Sequence, residues 1–507
     1  MPGAEDLVVG IDLGTSTAKV LVLTASGEVV GRARATYIQY RPRPGWVEQS
    51  PDDWWDAVCR AVRESLRSVD GRRVRAVGLS GQLNGVVLVD ERGHPLRNAL
   101  IWLDQRAAEQ AQRVQSEQTE LLSRAGHGTV TGVHVLPKLL WHMENEPKLA
   151  ERTRYILFPK DDINLRVTDE VATDPSDPGA VAMLDMGRRN WAYDLLDALG
   201  IPTAWLPPVY ESPEVIGRVT QEGAVATGLP EGTPVVAGAG DMAALAVGTG
   251  VVKPGTGCAS IATAGHVAIH LDSMPDAMDE RLWLMCHAVP GKYFWHGLVL
   301  TGGHCLDWFR ISFGQAERAA AQLLDVDEYD LLLSNAARVP PGSRGLLFLP
   351  FLDGVATPYH DAAARSAFIG ATSLHRKEHF VRAVLEGVAH NFRDSFEIAA
   401  SMGVVIDEVR TGEGGSRSKL WRQILADVLG REVVPLRELD CSALGAACIA
   451  GAGAGVWRDL ESAVEAAVHR EVPVAVNAQH QAAYEVGYAL YREAYVALKG
   501  LFPKLSG

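Results

Sequence analysis

Val9-Gly10-Ile11-Asp12-Leu13-Gly14-Thr15-Ser16-Thr17-Ala18-Lys19-Val20 decides how this chain is read. An apolar run ends at an aspartate and gives way to a small, hydroxyl-rich turn. Leu7 to Ile11 has the character of a buried strand, Lys19 to Leu23 reads as a second, and Ser26-Gly27 turns the chain into a third, Glu28 to Gly31. The glycine turn therefore joins strand to strand. A Walker loop opens a helix and needs Gly-Lys-Ser/Thr, and the dinucleotide fingerprint lies between strand and helix, so neither applies. Gly14 lets the backbone approach an anion, Thr15, Ser16 and Thr17 add donors, and Asp12 offers a carboxylate to magnesium through water. On these residues alone the turn is either a phosphate loop or a polar hairpin.

At 507 residues the chain exceeds one hydrophobic core and predicts several domains. With 47% hydrophobic and 22% charged residues it has the composition of a soluble globular protein. A formal charge of −14 argues against a nucleic-acid partner, which needs a basic face, but leaves a small anionic substrate open. Cys59, Cys258, Cys286, Cys305, Cys441 and Cys448 show no metal-binding spacing and read as reduced core residues. Met1 to Asp6 is acidic where a signal peptide would be basic, and no window reaches the roughly 18 apolar residues of a spanning helix. These features predict a cytoplasmic protein with no membrane partner.

Strand-like and helix-like stretches alternate throughout, which predicts α/β architecture. Ser50 suits an N-cap, Pro51 the first helical position, and Asp52 and Asp53 the first turn, of a helix from Pro51 to about Val69. Val74 to Ser80 reads as a strand leading into Gly81-Gln82-Leu83-Asn84-Gly85, polar residues between buried strands that face something. Asp174-Pro175-Ser176-Asp177-Pro178 and Leu206-Pro207-Pro208 read as excursions across a surface. Lys160 and Asp161, before a helix, read as a surface charge and a cap. The pattern restarts after Pro234 to Asp241, where Ala259 to Ala268 is again a small-residue turn between apolar runs, as if the chain had two related halves. Glu408 to Ser418 followed by Leu420, Trp421, Ile424, Leu425, Val428 and Leu429 is strand, glycine loop and helix, a candidate nucleotide site. Ser442 to Cys448 has a small-residue face for close packing on a helix or a base.

Taken together these residues resemble the FGGY family of carbohydrate kinases, and the resemblance spans essentially the whole chain. It is strongest toward the xylulokinase branch and rests on Gly10 to Ser16, Trp46-Val47-Glu48-Gln49 with Trp54-Trp55, Gly81-Gln82 with Gly85, and Trp102-Leu103-Asp104-Gln105-Arg106. Pro159-Lys160-Asp161, Gly238 to Asp241, Cys305 to Trp308, Leu349 to Leu352, Thr357-Pro358, Leu385 to Val388, Trp421-Arg422-Gln423 and Ala443 to Ala447 follow in order. The resemblance implies two actin-like, ribonuclease H-like domains flanking a catalytic cleft, as in the sugar kinase, Hsp70 and actin ATPase superfamily. It divides the chain into a sugar-binding N-terminal domain over 1–246, with the first phosphate loop, and a nucleotide-binding C-terminal domain over 247–507.

The implied activity is transfer of the ATP γ-phosphoryl group to a sugar hydroxyl, with Asp241 as general base and Asp12 associated with Mg2+. By itself Asp241 reads as a helix N-cap. Gly14, Thr15 and Ser16 match the first phosphate loop, Thr263 and Gly265 the second, and Gly414 and Gly415 the nucleotide loop. Sugar contacts are expected from Gln82, Asn84, Asp104 and Asp241, with Leu83 and Met242 shaping the pocket, although Asp104 beside Arg106 also reads as a structural ion pair. The family's usual Gly-Gln-Met-His-Gly is Gly81-Gln82-Leu83-Asn84-Gly85 here, its Asp-Asn is Asp241-Met242, and Glu413 stands where glycine is common. The expected substrate is a ketopentose such as D-xylulose, with another pentulose, a polyol such as erythritol or glycerol, or a sugar acid as alternatives. A switch ATPase and a non-catalytic sugar sensor are the readings outside the kinases, and a homodimer is the expected assembly.

Overall fold

Leu7–Leu13 (β1) is buried along its whole length, so the strand runs through Asp12 instead of stopping before it. The computed structural model describes residues 6–505, and the first five residues of the acidic N-terminal stretch lie outside them. Thr17–Thr24 (β2) returns antiparallel to β1 with Lys19 opposite Asp12, and Val29–Thr36 (β3) pairs antiparallel with β2. The third strand is longer than the apolar run suggests. Its exposure alternates, and Arg32 and Arg34 pair with Glu438 and Asp440 from the far end of the chain. Val74–Gly81 (β4) lies parallel to β1 on the other side. Val215–Arg218 (β5), Pro234–Val236 (β6) and Ala239–Gly240 (β7) complete a sheet of order β5-β6-β4-β1-β2-β3, with β7 also parallel to β4.

The second half repeats this plan. Gly255–Ile261 (β8), Gly265–Leu271 (β9), Trp283–Cys286 (β10), Tyr293–Val299 (β11), Ile406–Thr411 (β12) and Val433–Pro435 (β13) form a sheet of order β10-β11-β9-β8-β12-β13. In both halves an antiparallel run (β1-β2-β3; β8-β9-β11) is followed by a later strand parallel to its first member (β4; β12), which in turn pairs parallel with another (β6; β13). That is the ribonuclease H-like arrangement, present twice.

The helices follow local rules with one shortfall. In Pro51–Ser65 (α1), Ser50 accepts from the amide of Asp52 at 3.2 Å, as its N-cap position requires. The helix stops four residues short of Val69 because Arg67 and Val69 donate to carbonyls three residues back, tightening the end into turns. Asp241–Gly248 (α2) and Cys441–Gly453 (α5) form a layer between the sheets, while Lys377–Ser401 (α3) and Lys419–Leu429 (α4) pack in the second half. α5 lies late in the chain but covers the first sheet. A Cβ at Gly10 would stand 2.1 Å from the Ala443 carbonyl oxygen, and one at Gly78 2.3 Å from that of Ala446. Its small-residue face therefore packs on strands and on α2. Val8, Leu21 and Ala76 from the first sheet and Cys258, Ala268 and Phe294 from the second join α2 and α5 in one apolar core.

Two readings of polar segments need correction. Asp174 to Pro178 is buried, not a surface excursion, and Lys160 and Asp161 are buried as well. Asp161 does accept from the Phe158 amide, as a cap should. Lys160 Nζ lies 3.0 Å from Asp174 and 3.1 Å from Asp177, and these mutual pairs are what allow the charges inside. All six cysteines are buried and free. Among the described residues, no helix is long and apolar enough to cross a membrane.

Candidate active site

The carboxyl ends of the parallel strands β1, β4 and β7 lie side by side, with Leu13, Gly81 and Gly240 in register. Immediately beyond them come the Gly14 turn, the Gln82 loop and Asp241. A crevice at such strand ends is where open α/β sheets bind ligands. Asp12 sits one row deeper, beside Ser80, whose hydroxyl donates to its Oδ1 at 3.1 Å. Burial raises the Asp12 carboxyl, against the pull of Lys19 and Ser80. Asp241 is the first residue of α2, whose N-cap is Gly240, and its carboxyl feels the backbone amides of Met242 and Leu83. Burial, then the neighbouring Asp12 charge, pushes Asp241 up to about 8, and its Oδ1 is buried without a partner.

Gly14, Thr15 and Ser16, the expected first phosphate loop, form a turn whose carbonyls are tied back into the protein. Gly14 donates to Thr17 O at 3.2 Å, the Tyr37 hydroxyl donates to Gly14 O, and Gln49 Nε2 donates to Thr15 O at 2.7 Å. Tyr37 N takes Ser16 O, and Trp102 Nε1 donates to Thr15 Oγ1 at 2.9 Å. Among the described residues no backbone bond uses the amides of Thr15 or Ser16. Such amides are the donors an anion-binding turn presents.

In the Gln82 loop, Asn84 has φ +61, a left-handed conformation in which asparagine is among the few comfortable side chains. Lys138, fully buried, fixes the loop by donating to Asn84 O and Ile101 O at 2.8 Å and Val133 O at 2.6 Å. Burial lowers this ammonium to about 7. Lys138→Met leaves three carbonyls without their donor but no longer buries a charge, so the net destabilisation expected from the opposing terms is only about 1 kcal/mol. The loosened loop should show more clearly, as a higher KM for sugar at nearly unchanged kcat; steady-state kinetics beside thermal unfolding separates the two effects.

Leu83 packs toward the shared core and meets Gly240, and Met242 is buried beside it. Asp104, expected among the sugar contacts and also read as a structural ion pair, is paired with Arg106. It is 0% exposed and accepts from Val47 N at 2.6 Å and from Arg106 N, Nε and Nη2 at 3.0, 2.9 and 2.7 Å. Its carboxylate is consumed in holding Arg106, whose guanidinium lies 3.7 Å from the Trp46 ring centroid. Asp104 and Arg106 form a buried structural ion pair at 2.7 Å.

The second half supplies matching loops at the ends of β8 and β12. Thr263 is exposed at the tip of the first, and Gly265 is packed so closely that a Cβ would stand 2.4 Å from Phe392. Gly303 N and His304 N donate to Ala262 O and Thr263 O at 2.9 and 3.0 Å, again tying carbonyls away. Gly414 and Gly415 open a 3-10 turn, Gly414–Arg417, and α4 starts only after Ser418, which caps it by accepting from Trp421 N. Glu413 has φ 64 and ψ −176, a region almost reserved for glycine. Burial pushes its carboxyl up to about 7, against Lys19 and the Cys441 amide at the start of α5. The two halves meet there, since Ser442 Oγ donates to Asp241 O at 3.3 Å and Lys19 Nζ lies 3.3 Å from Asp440.

Several supporting residues escape pattern reading. Gln49, Lys138, Asp174, Ser176 and Asp177 sit far from the site in sequence. Ser176 Oγ accepts from Gly240 N at 2.8 Å and donates to Asp174, so the Lys160 cluster braces the strand end before Asp241. The only sequence signals were Pro159-Lys160-Asp161 and Trp46 to Gln49, quoted for resemblance and not for role.

Two ribonuclease H-like sheets, with carboxylates and small-residue turns at facing strand ends, define an actin-like phosphotransferase. The chain belongs to the FGGY family of carbohydrate kinases, whose N-terminal domain matches residues 7–248 and whose C-terminal domain matches 251–454. It is 31% identical to the xylulose kinase of Bacillus subtilis over 97% of each chain, and 32% identical to that of Escherichia coli over 97% of this chain and 99% of the relative. The crystal structure of xylulose kinase from Rhodospirillum rubrum superposes with a TM-score of 0.87 at 29% identity, covering 98% and 99% of the two chains. The protein is an ATP-dependent carbohydrate kinase.

Proposed function

We propose that this enzyme transfers the γ-phosphoryl group of ATP to a hydroxyl of a ketopentose, D-xylulose first among them. The observation that carries the sugar half is chemical. Gln82 Oε1, Asn84 Oδ1 and Asp241 Oδ1 are buried atoms without a partner; the first two are acceptors, and so is Asp241 once it has given up its proton. A neighbourhood of buried acceptors calls for a ligand rich in donors, and a polyhydroxylated molecule is one. Relatives named xylulose kinase support the ketopentose.

In this reading Asp241 accepts the proton of the attacking hydroxyl as the bond to phosphorus forms, which an alcohol needs at neutral pH. The amides of Thr15 and Ser16 and the Thr263 loop neutralise charge on the transferring group and position it. Asp12 suits Mg2+, which takes one or two carboxylates and completes its shell with water and phosphate. One of its oxygens is held by Ser80, which fixes the other. A Mg2+ ion entering with ATP would be held by Asp12 and would supply charge neutralisation at the phosphates.

A coupled ADP-release assay over ketoses, polyols and sugar acids tests the assignment. Stimulation greatest with D-xylulose is expected. A polyol or sugar acid turned over at least tenfold better in kcat/KM, a difference of about 1.4 kcal/mol, would overturn the ketopentose and leave the kinase standing.

A further inference from the structure

The hydrogen bonds around Gln49 have a polarity that can be fixed without seeing a proton. Gln49 is 0% exposed. Trp54 Nε1 can only donate, and it lies 3.1 Å from one end of the Gln49 carboxamide, which must therefore be Oε1. The Thr15 carbonyl can only accept, and it lies 2.7 Å from the other end, Nε2. Gln82 approaches Oε1 at 2.7 Å and must do so with its own Nε2. The Gln82 oxygen is thereby turned away from Gln49, buried and partnerless. A single row of amide dipoles runs from that oxygen through Gln82 and Gln49 to the carbonyl of the phosphate turn.

We propose that Gln49 is a positioning residue through which an occupied sugar site sets the phosphate turn. The inference rests on the reading of Gln82 as a sugar contact and of Thr15 as part of the phosphate loop. A sugar hydroxyl donating to Gln82 Oε1 polarises that amide, strengthens its donation to Gln49, and strengthens in turn the Gln49 bond that holds Thr15 O. It also removes the freedom of Gln82 to rotate, which would otherwise loosen the row. The carbonyl of Thr15, already bound to Gln49, is thus held back more firmly, and the adjacent amides are aimed more steadily at the γ-phosphoryl group, when an acceptor sugar is in place. Trp102, half-exposed and bound to Thr15 Oγ1, restrains the same residue from its side chain, while the carbonyl takes its short bond from Gln49 at 2.7 Å and a longer one from Gln39 Nε2 at 3.4 Å.

Gln49→Glu separates the two ends of the row. A carboxylate still accepts from Trp54 and Gln82 but sets an acceptor against Thr15 O; Gln49→Leu removes both ends. Calorimetric titration of a non-hydrolysable ATP analogue, with and without saturating D-xylulose, reads the coupling. Sugar is expected to tighten nucleotide binding roughly tenfold in the parent and less than about twofold in both variants, a range typical of coupled sites. In Gln49→Glu the sugar affinity itself should stay within about threefold, and kcat should fall more than KM for sugar rises. Circular dichroism and thermal unfolding confirm that the variants are folded. A coupling factor unchanged in folded Gln49→Glu, or a parent that binds both ligands without coupling, overturns the inference. A parent that binds nucleotide but no sugar of the panel overturns the sugar-kinase reading instead.

Discussion

Asp241→Asn is expected to lower kcat about a thousandfold, within the 10² to 10⁴ range of general-base catalysis, while sugar binding changes by no more than a few-fold. The amide keeps the shape of the side chain but cannot take a proton. The pH profile makes the test specific. With its carboxyl held up to about 8 by burial and by Asp12, Asp241 in the free enzyme is mostly protonated at neutral pH, so kcat/KM in the parent should climb as pH rises toward 8. That limb should vanish in the variant. Asp12→Asn, which removes the repelling charge, should move the limb of any residual activity to lower pH. The stability consequence has the opposite direction. A carboxyl raised above its unfolded value favours the folded state most below its ordinary value of 3.8, and that contribution is lost as pH rises through about 8. Asp241→Asn should therefore gain stability relative to the parent between pH 5 and pH 9. A variant that is inactive yet better folded at pH 9 cannot owe its inactivity to unfolding, and one retaining a third of parental kcat would remove Asp241 from the role of base.

The duplicated sheet was legible in part because buried strands are written in apolar residues: β1 and β4 are near-continuous runs, and β8, though only small residues, leads into a turn of the same kind. What was not legible follows from the same rule. β3 carries Arg32 and Arg34, whose partners stand some four hundred positions away, so no local pattern could carry the third strand past Gly31. Asp174 to Pro178 has the composition of a surface loop and is buried only because Lys160 neutralises it. Asp104 shows where motif reading stops at the site. Its place in a motif with Trp102 and Arg106 was plain, but motif membership does not say which member faces the ligand. Only the four donors around its carboxylate do. Asn84, by contrast, was visible as a departure from the family's histidine, and the left-handed backbone supplies a reason why an asparagine is accepted there.

Glu413→Gly should bind nucleotide about tenfold more tightly than the parent at pH 8 and be more stable by about 1 to 2 kcal/mol. Both effects come from one backbone position. A side chain at φ 64 and ψ −176 costs roughly 1 to 3 kcal/mol, and glycine removes that strain while returning up to about 1 kcal/mol in unfolded-chain entropy. The carboxylate also occupies ground that suits phosphate. It accepts from the Cys441 amide at the start of α5 and is attracted by Lys19, so an anion from the nucleotide must compete with it and meet its charge. A like charge within about 8 Å at an effective dielectric of about 20 opposes binding by on the order of 2 kcal/mol, somewhat more than a tenfold change. Because burial holds the Glu413 carboxyl near 7, the handicap should be small at pH 6 and grow through pH 8 in the parent, and be absent in the variant. The stability gain should follow the same direction, since a carboxyl raised above its ordinary 4.5 gives up its contribution as pH rises toward 7. Equal nucleotide affinity in parent and variant across pH 6 to 8 would mean that Glu413 faces away from the bound phosphates. The strain at Glu413 would then need another cause.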